Sequence, residues 1–161
     1  MTQTATCKDR LEQYLRQQQV TYEVQHHPLA YTAQQVAASE HVPGKELAKT
    51  VIVITDDRSV MVVVPASRNV QVSKLAAALG ASHARLAEEK EFEALFPDCE
   101  LGAMPPFGNL YGMDVYVDRM LAEDERIVFR AGTHTDTMRI NYADFARLVN
   151  PMVVDVMHHS T

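Results

Sequence analysis

Two nearly uninterrupted apolar segments, separated by a short polar turn, constrain the fold of this chain more than any other feature. They are 49-KTVIVI-54 and 60-VMVVVP-65, with the turn TDDRS between them. This arrangement predicts a β-hairpin. Strands that are apolar at successive positions, rather than at alternate ones, are buried on both faces. Helices must therefore cover the sheet, which predicts an α/β fold.

Helix and strand patterns alternate along the rest of the chain. Thr6 begins an amphipathic helix, residues 20–25 alternate as a short strand, and residues 32–39 carry a capping-box pattern for a helix. Further elements are predicted as a helix capped by Ser73 and closed by Gly80, a helix over 89–95, strands at 113–117, 125–130 and 137–140, and a last helix from Asn141. The order of hairpins and crossovers predicts a single α/β domain over residues 1–161, with a mixed, mostly antiparallel sheet flanked by helices.

Composition narrows the class of protein. No apolar run approaches the roughly 20 residues of a membrane span, and the polar first twenty residues lack the apolar core of a signal peptide. The two cysteines, Cys7 and Cys99, form no Cys-x-x-Cys pair and suggest neither a disulfide framework nor a zinc site. We therefore expect a reduced, soluble, cytoplasmic protein.

Charge is distributed unevenly along the chain. The net charge of −6 argues against a general nucleic-acid binder, because affinity for phosphate depends on neutralisation by Lys and Arg. The middle segment nevertheless has a small basic excess. If the protein has an anionic partner, that partner should contact this segment. The alternative is that the segment is an ordinary solvated surface. Its basic residues include Lys45, Lys49, Arg58, Arg68, Lys74 and Arg85.

Lys49 opens the first strand of the predicted hairpin. A lysine beside buried sheet positions suits anion binding or use as an activated amine. From its position alone, the simpler interpretation is a strand-entry lysine whose ammonium group reaches water.

A loop rich in glycine and proline, 97-PDCELGAMPPFGNLYG-112, separates two regular elements. Its stiff backbone predicts either a cradle for a carbonyl or oxyanion, or a rigid structural loop. Asp118 follows the next strand, where it could orient a substrate amine or cap the following helix. The histidines have no spacing that makes a metal site.

Several of these features occur together in one known family. The carriers are 27-HPLAYTAQQVA-37, the pair Lys49-Thr50, the Gly-x-x-x-Pro-x-Gly element from Gly102 to Gly108, the strand that ends at Asp118, and 132-GTH-134. With these elements in this order, the chain resembles the YbaK/ProX (EbsC) family of aminoacyl-tRNA deacylases, related to the editing domain of bacterial prolyl-tRNA synthetases. The similarity covers about residues 20–149, which we take as the core of the domain.

The resemblance implies hydrolysis of the ester between a small wrong amino acid and the 3′ end of a mischarged tRNA. It implies no metal and no cofactor, a monomer, and an aminoacyl-tRNA synthetase as a possible partner. Its implied catalytic residues are Lys49, Gly102, Gly108 and Asp118. Its implied substrate-binding residues are Tyr31, Thr50, Pro106, Phe107, Arg130, Gly132, Thr133 and His134.

Arg130 departs from the family pattern. In relatives, the position directly after the strand that ends here at Phe129 faces the aminoacyl group. That position is often a small residue, a neutral polar residue or His, so a large cation would reshape the pocket. Tyr31 either walls that pocket or packs in the core. The alternative function is a non-catalytic module of the same fold that binds tRNA ends or an aminoacyl compound. A Schiff-base enzyme that uses Lys49 as its amine ranks last, because no neighbour is evident that lowers the pKa of that lysine.

Overall fold

The computed structural model of the protein describes residues 6–26, 47–56, 58–66, 70–100 and 102–155. The helix predicted over residues 32–39, the 27–37 motif and Tyr31 lie outside the described residues.

Helices and strands alternate along the described chain. The helices are α1 Cys7–Gln17, α2 Val72–Leu79, α3 Glu89–Leu95, α4 Arg119–Ala122 and α5 Tyr142–Val149. The strands are β1 Glu23–His26, β2 Ala48–Thr55, β3 Ser59–Pro65, β4 Ala84–Leu86, β5 Val115–Asp118, β6 Arg126–Arg130, β7 Asp136–Asn141 and β8 Met152–Val154. Within these ranges, every helix is too short or too polar to cross a membrane.

The strands form two sheets. The five-stranded sheet has the order β4-β2-β3-β5-β8, and the three-stranded sheet has the order β1-β7-β6. Strands β3, β5 and β8 pair in parallel, whereas the other pairs are antiparallel. The predicted α/β fold with mixed, mostly antiparallel pairing is therefore confirmed. The division into two sheets and the short strands β4 and β8 were not predicted.

The predicted hairpin forms the centre of the larger sheet. β2 and β3 pair in antiparallel register from Ala48–Pro65 to Ile54–Ser59. Ala48 and Ile52 lie in the larger hydrophobic cluster, and Val53 lies in a second cluster with Leu75 of α2. The two clusters cover opposite faces of β2, which confirms burial on both sides.

The helix boundaries confirm most of the predicted caps. The Thr6 hydroxyl accepts the Asp9 backbone N–H at 3.1 Å and the Asp9 carboxylate accepts that of Thr6, so α1 begins with a capping box. Gly80 closes α2 in the left-handed conformation, with φ +67°. The prediction for Ser73 was wrong, because α2 begins earlier and Gln71 holds the cap position without a side-chain hydrogen bond.

Within the described residues, an isolated β-bridge joins the two sheets. Leu47, which directly precedes β2, pairs in parallel with Val128 of β6, and both side chains are buried. This seam brings the beginning of β2 to the last residues of β6.

The cysteines correct the expectation from sequence. Cys7 at the beginning of α1 and Cys99 in the glycine-proline loop form a disulfide, with Cα atoms 4.9 Å apart. The sequence could not indicate this pair, since 92 positions separate the two residues and only the packing of α1 against the loop joins them.

The disulfide predicts a stability that depends on redox conditions. A bond that closes so long a loop restricts the unfolded chain, so dithiothreitol should lower the free energy of unfolding by about 2–4 kcal/mol. Urea denaturation with and without the reductant measures the change. The double variant Cys7→Ala/Cys99→Ala should give identical curves under both conditions. Coincident curves for the wild type would contradict a stabilising disulfide in solution.

Candidate functional site

The glycine-proline loop is bonded to the turn that joins β6 and β7. The Glu100 backbone N–H donates to the Gly132 carbonyl at 2.8 Å, and the Gly132 N–H donates to the Ala103 carbonyl at 2.9 Å. The His134 backbone N–H donates to the Glu100 carboxylate at 2.7 Å. These bonds bring together the two segments that were predicted, separately, to form the site.

Helix α1 holds the other side of the loop. The Cys7 backbone N–H donates to the Asp98 carbonyl at 3.0 Å. The Arg10 guanidinium pairs with the Asp98 carboxylate at 2.7 Å and also donates to the Leu110 carbonyl at 3.2 Å. The bond to Asp98 raises the pKa of Arg10 above its ordinary value. The loop is therefore fixed by contacts to two separate elements.

Gly132 lies where α1 approaches the turn most closely. Its φ is +95°, a value that side-chain-bearing residues rarely adopt. A Cβ atom there would lie 2.7 Å from the Cys7 Sγ and 3.2 Å from the Lys8 backbone nitrogen. Both the conformation and the close approach thus require glycine at this position.

Replacement of Gly132 tests this packing. Gly132→Ala should lower the free energy of unfolding by about 2–4 kcal/mol, because backbone strain and a steric clash with the disulfide-bonded Cys7 add together. Gly80→Ala is the matched control, since Gly80 also has a positive φ but has open space around it, and it should cost about 1 kcal/mol. Urea denaturation measures both. Equal losses would show that the contact with α1 contributes nothing.

A buried carboxylate organises the turn itself. The Thr133 hydroxyl donates to Asp136 at 2.7 Å, the His26 Nδ1 lies 3.1 Å from the same carboxylate, and the Lys8 ammonium lies 3.6 Å away. Burial alone raises the pKa of Asp136. The bonds from Thr133 and His26 and the charge of Lys8 outweigh this effect, so the pKa lies below its ordinary value.

This lowered pKa predicts sensitivity to acid. The stabilisation by Asp136 is present above the unfolded pKa of about 3.9 and is lost as the pH falls through the lower folded value. Asp136→Asn should therefore lower the free energy of unfolding by about 2 kcal/mol at pH 7, and this difference from the wild type should shrink below about pH 4. Urea denaturation at pH 7 and pH 3 tests this. A difference that is unchanged at pH 3 would contradict an ionised Asp136.

Arg130, the last residue of β6, reaches the loop. Its Nη1 donates to the Gly102 carbonyl at 3.2 Å, and Gly102 has a φ of +83°. Burial lowers the pKa of Arg130 from its ordinary value, yet a guanidinium stays protonated in proteins. The site therefore contains a partly buried positive charge.

Lys49 and Arg130 both follow the seam between the sheets along their strands. Each comes two residues after one member of the Leu47–Val128 bridge. Side chains alternate along a strand, so both cations lie on the face that Leu47 and Val128 share. In the described part of the chain, no carboxylate forms an ion pair with either cation. Thr50 points to the opposite face of β2.

Asp118 shares a row of the larger sheet with Lys49. Lys49 pairs with Val64, and the parallel register of β3 with β5 puts Asp118 level with Val64. Its carboxylate accepts the Met120 backbone N–H at 3.0 Å and caps α4, which is the simpler of the two predicted roles.

The remaining predicted residues lie in the core beneath the site. Pro106 and Phe107 are buried, and the Phe107 ring packs edge-on against Phe129 and Phe145. A Cβ on Gly108 would lie 2.7 Å from a methyl group of Val115. The structure therefore joins Arg130, the loop at Gly102 and the 132–134 turn by hydrogen bonds, whereas Pro106, Phe107 and Gly108 are buried.

The sequence patterns assigned no role to Glu100, Lys8 or Asp136. Their contacts join segments far apart in the chain, so no local motif marks Glu100 or Lys8. The Thr133-to-Asp136 spacing, typical of a side-chain-bonded turn, was the available signal for Asp136. Cys7, Asp98 and Cys99 group ligand atoms within 4.8 Å of one another in the described chain. Their sulfurs are bonded to each other and so offer no thiolate to a metal.

Comparison with known proteins identifies relatives by sequence. The family model described as the aminoacyl-tRNA editing domain matches residues 27–148 of the 161. The multifunctional Ser/Thr-tRNA deacylase ProXp-y of Escherichia coli (strain K12) is 29% identical over 100 residues, which are 62% of this chain and 59% of that protein. The match thus spans less than two thirds of the relative.

Solved structures share the fold. The crystal structure of a candidate trans-editing enzyme for prolyl tRNA synthetase gives a TM-score of 0.83 at 17% identity, over 98% of this chain and 100% of that one. The crystal structure of hypothetical protein APE2540 gives 0.84 at 20% identity, over 92% and 99%. At these identities the similarity shows the fold alone.

Proposed function

Because the chain belongs to the family of aminoacyl-tRNA editing domains, as its sequence resemblance predicted, we propose that it is a trans-editing hydrolase. Its substrate is a tRNA that carries a small wrong amino acid, and the reaction cleaves the ester at the 3′-terminal ribose. The observation that carries the proposal is the Arg130 guanidinium bonded to the Gly102 carbonyl, on a loop that is itself joined to the Gly132–His134 turn. The relative named Ser/Thr-tRNA deacylase supports it.

Lys49 serves as the anchor for the tRNA end. An ammonium group is a compact charge that binds phosphate or ribose oxygens without needing a planar partner. If the site binds only the 3′ end of the tRNA, a protein with a net charge of −6 can still act on RNA. The attraction is local, so the acidic remainder of the surface need not contact phosphates.

The ester itself needs little chemical activation. Water attacks the carbonyl carbon, the ribose oxygen leaves and takes a proton, and the products are the amino acid and the tRNA. Positioning of the ester and hydrogen bonds to the developing oxyanion provide the acceleration. The Gly132 and His134 N–H groups are already bonded within the protein, so we assign this step to other backbone amides of the loop and the turn. We propose that no metal ion or cofactor takes part.

The protein acts, in this proposal, as a monomer in the cytoplasm, where synthetases produce mischarged tRNA. A synthetase is a reasonable partner, since it releases the substrate. A disulfide such as Cys7–Cys99 is rare in that reducing compartment. The redox dependence of stability described above measures how much the fold relies on the disulfide.

Single-turnover deacylation of mischarged tRNAs tests the function. The panel carries Ala, Ser, Cys and Thr on tRNAs for Pro and Thr. The wild type should hydrolyse one or two of these, and Lys49→Ala should slow that reaction about 100-fold, because a misplaced ester loses most of its acceleration. The matched control is Lys90→Ala, which removes an exposed lysine of α3 and should leave the rate unchanged.

Two other outcomes would change the interpretation. Binding of tRNA without turnover on any substrate would favour the non-catalytic module. Full activity in Lys49→Ala would retain the hydrolase but remove Lys49 from its centre.

A further inference from the structure

Cys7 and Cys99 are the two cysteines of the chain, and they differ in their access to solvent. Cys7 is buried, whereas Cys99 is half-buried and lines a cavity of about 320 Å³. Exposed residues, among them Pro97 and Glu100, also line this cavity, so it opens to solvent. A small reagent that enters from solvent therefore reaches the Cys99 sulfur before the Cys7 sulfur.

Polar groups around the two sulfurs favour ionised thiols once the bond is reduced. Cys7 is the first residue of α1, and a helix N-terminus lowers the pKa of a thiol. The Tyr111 hydroxyl lies 3.2 Å from the Cys99 Sγ and 3.5 Å from the Cys7 Sγ. Burial raises the pKa of Tyr111 to about 12, so this hydroxyl remains a donor within reach of both sulfurs. The Asp98 carboxylate, 3.7 Å from the Cys99 Sγ, opposes ionisation, but Arg10 balances its charge.

Reduction of the bond requires the two sulfurs to separate. Unbonded sulfur atoms need about 3.5–4 Å between them, whereas a disulfide holds them about 2 Å apart. Cys7 has no room to withdraw toward the turn, because a Cβ on Gly132 would lie only 2.8 Å from the Cys7 Cβ. Cys99 has the cavity beside it. The displacement on reduction therefore falls on Cys99 and on the glycine-proline loop that carries it.

Glu100, the residue after Cys99, links this displacement to the candidate site. Its backbone N–H donates to the Gly132 carbonyl at 2.8 Å, and its carboxylate accepts the His134 N–H at 2.7 Å. Both hydrogen bonds depend on where the loop holds Glu100. The redox state of the cysteine pair and the attachment of the loop to the turn are therefore coupled.

We propose that Cys7 and Cys99 form a reversible thiol–disulfide switch that is oxidised by hydroperoxides and sets the position of the glycine-proline loop against the 132–134 turn. In a reducing compartment such as the cytoplasm proposed above, disulfides are usually transient and redox-sensing. An accessible thiol next to a second cysteine is typical of such sensors. The switch does not require that the chain hydrolyse aminoacyl-tRNA, so it is tested without that substrate.

The oxidation has two balanced steps. The Cys99 thiolate attacks one oxygen of hydrogen peroxide, so an S–O bond forms, the O–O bond breaks, and the departing hydroxide takes the thiol proton to give water. The Cys7 thiolate then attacks the Cys99 sulfur, so the S–S bond forms and the S–O bond breaks with release of a second water. Two electrons pass from the thiols to the peroxide. A dithiol returns two electrons by thiol–disulfide exchange and itself becomes a disulfide.

Site-resolved labelling tests the order of reaction and its reversibility. Reduced wild type, desalted without oxygen, is treated with less than one equivalent of iodoacetamide. Peptide mass spectrometry should find Cys99 alkylated about 10-fold faster than Cys7, because access controls thiol reactivity. One equivalent of hydrogen peroxide should instead close the disulfide, and dithiothreitol should restore both thiols without denaturant. Faster labelling of Cys7, or a bond that dithiothreitol opens only in denaturant, would overturn the proposal.

Serine variants separate the roles of the two sulfurs. Cys7→Ser removes the second thiol, so peroxide should leave a sulfenic acid on Cys99 that dimedone traps. Cys99→Ser is the matched control and should give about 10-fold less adduct, because its remaining thiol is buried. Equal adducts in two folded variants would overturn the assignment of Cys99. If either variant does not fold, the labelling of the wild type decides the same point.

Amide NMR tests the coupling to the turn. Reduction of the wild type should shift the cross-peaks of Glu100, Gly132 and His134, whereas Gly80, at the end of α2, should keep its position. In Cys7→Ala/Cys99→Ala, dithiothreitol should move none of them. Unchanged cross-peaks of Glu100 and His134 in the fully reduced wild type would overturn the coupling. Since no readout uses tRNA, failure of the deacylation assay and failure of the switch are distinguishable.

Discussion

The antiparallel pairing of β2 with β3 is the interaction on which the rest of the structure depends. Each strand contributes side chains to hydrophobic clusters on both faces of the sheet. The pairing leaves the beginning of β2 beside β6, where Leu47 meets Val128. Because the hairpin is buried on both sides, its register cannot slip without turning apolar residues toward water. Lys49 is therefore held at the seam between the sheets.

A second constraint is the attachment of the glycine-proline loop. Backbone bonds to Gly132 hold it on one side, and Arg10 of α1 with the Cys7–Cys99 disulfide holds it on the other. The loop is thus rigid for two reasons, its own composition and its tertiary contacts. Rigidity matters for the proposed chemistry, since donors that are already oriented do not have to reorganise during the reaction. The same attachment orients Arg130 through the Gly102 carbonyl.

Much of the fold followed from local patterns. The continuous apolar runs predicted the hairpin, the Thr6 capping box predicted α1, and Gly80 marked the end of α2. The cap at Ser73 was wrong because hydroxyl residues also occur inside a first helical turn, so the pattern left the boundary open. The disulfide was missed because its formation depends on how α1 packs, which no spacing of two distant cysteines encodes. Among the candidate site residues, Phe107 and Gly108 lie in the core, where their packing is indistinguishable in sequence from a pocket lining.

By itself, the sequence determined which segments become strands and helices, since hydrophobic periodicity and capping act over a few residues. The sequence also indicated the family, because the family model matches residues 27–148. The tertiary structure alone decided which of those motifs meet. Leu47 meets Val128 only because the two sheets are packed together, and the Glu100 carboxylate reaches the His134 N–H only because the loop packs against the turn. Such facts depend on contacts between residues far apart in sequence, and these contacts form only when the whole core is packed.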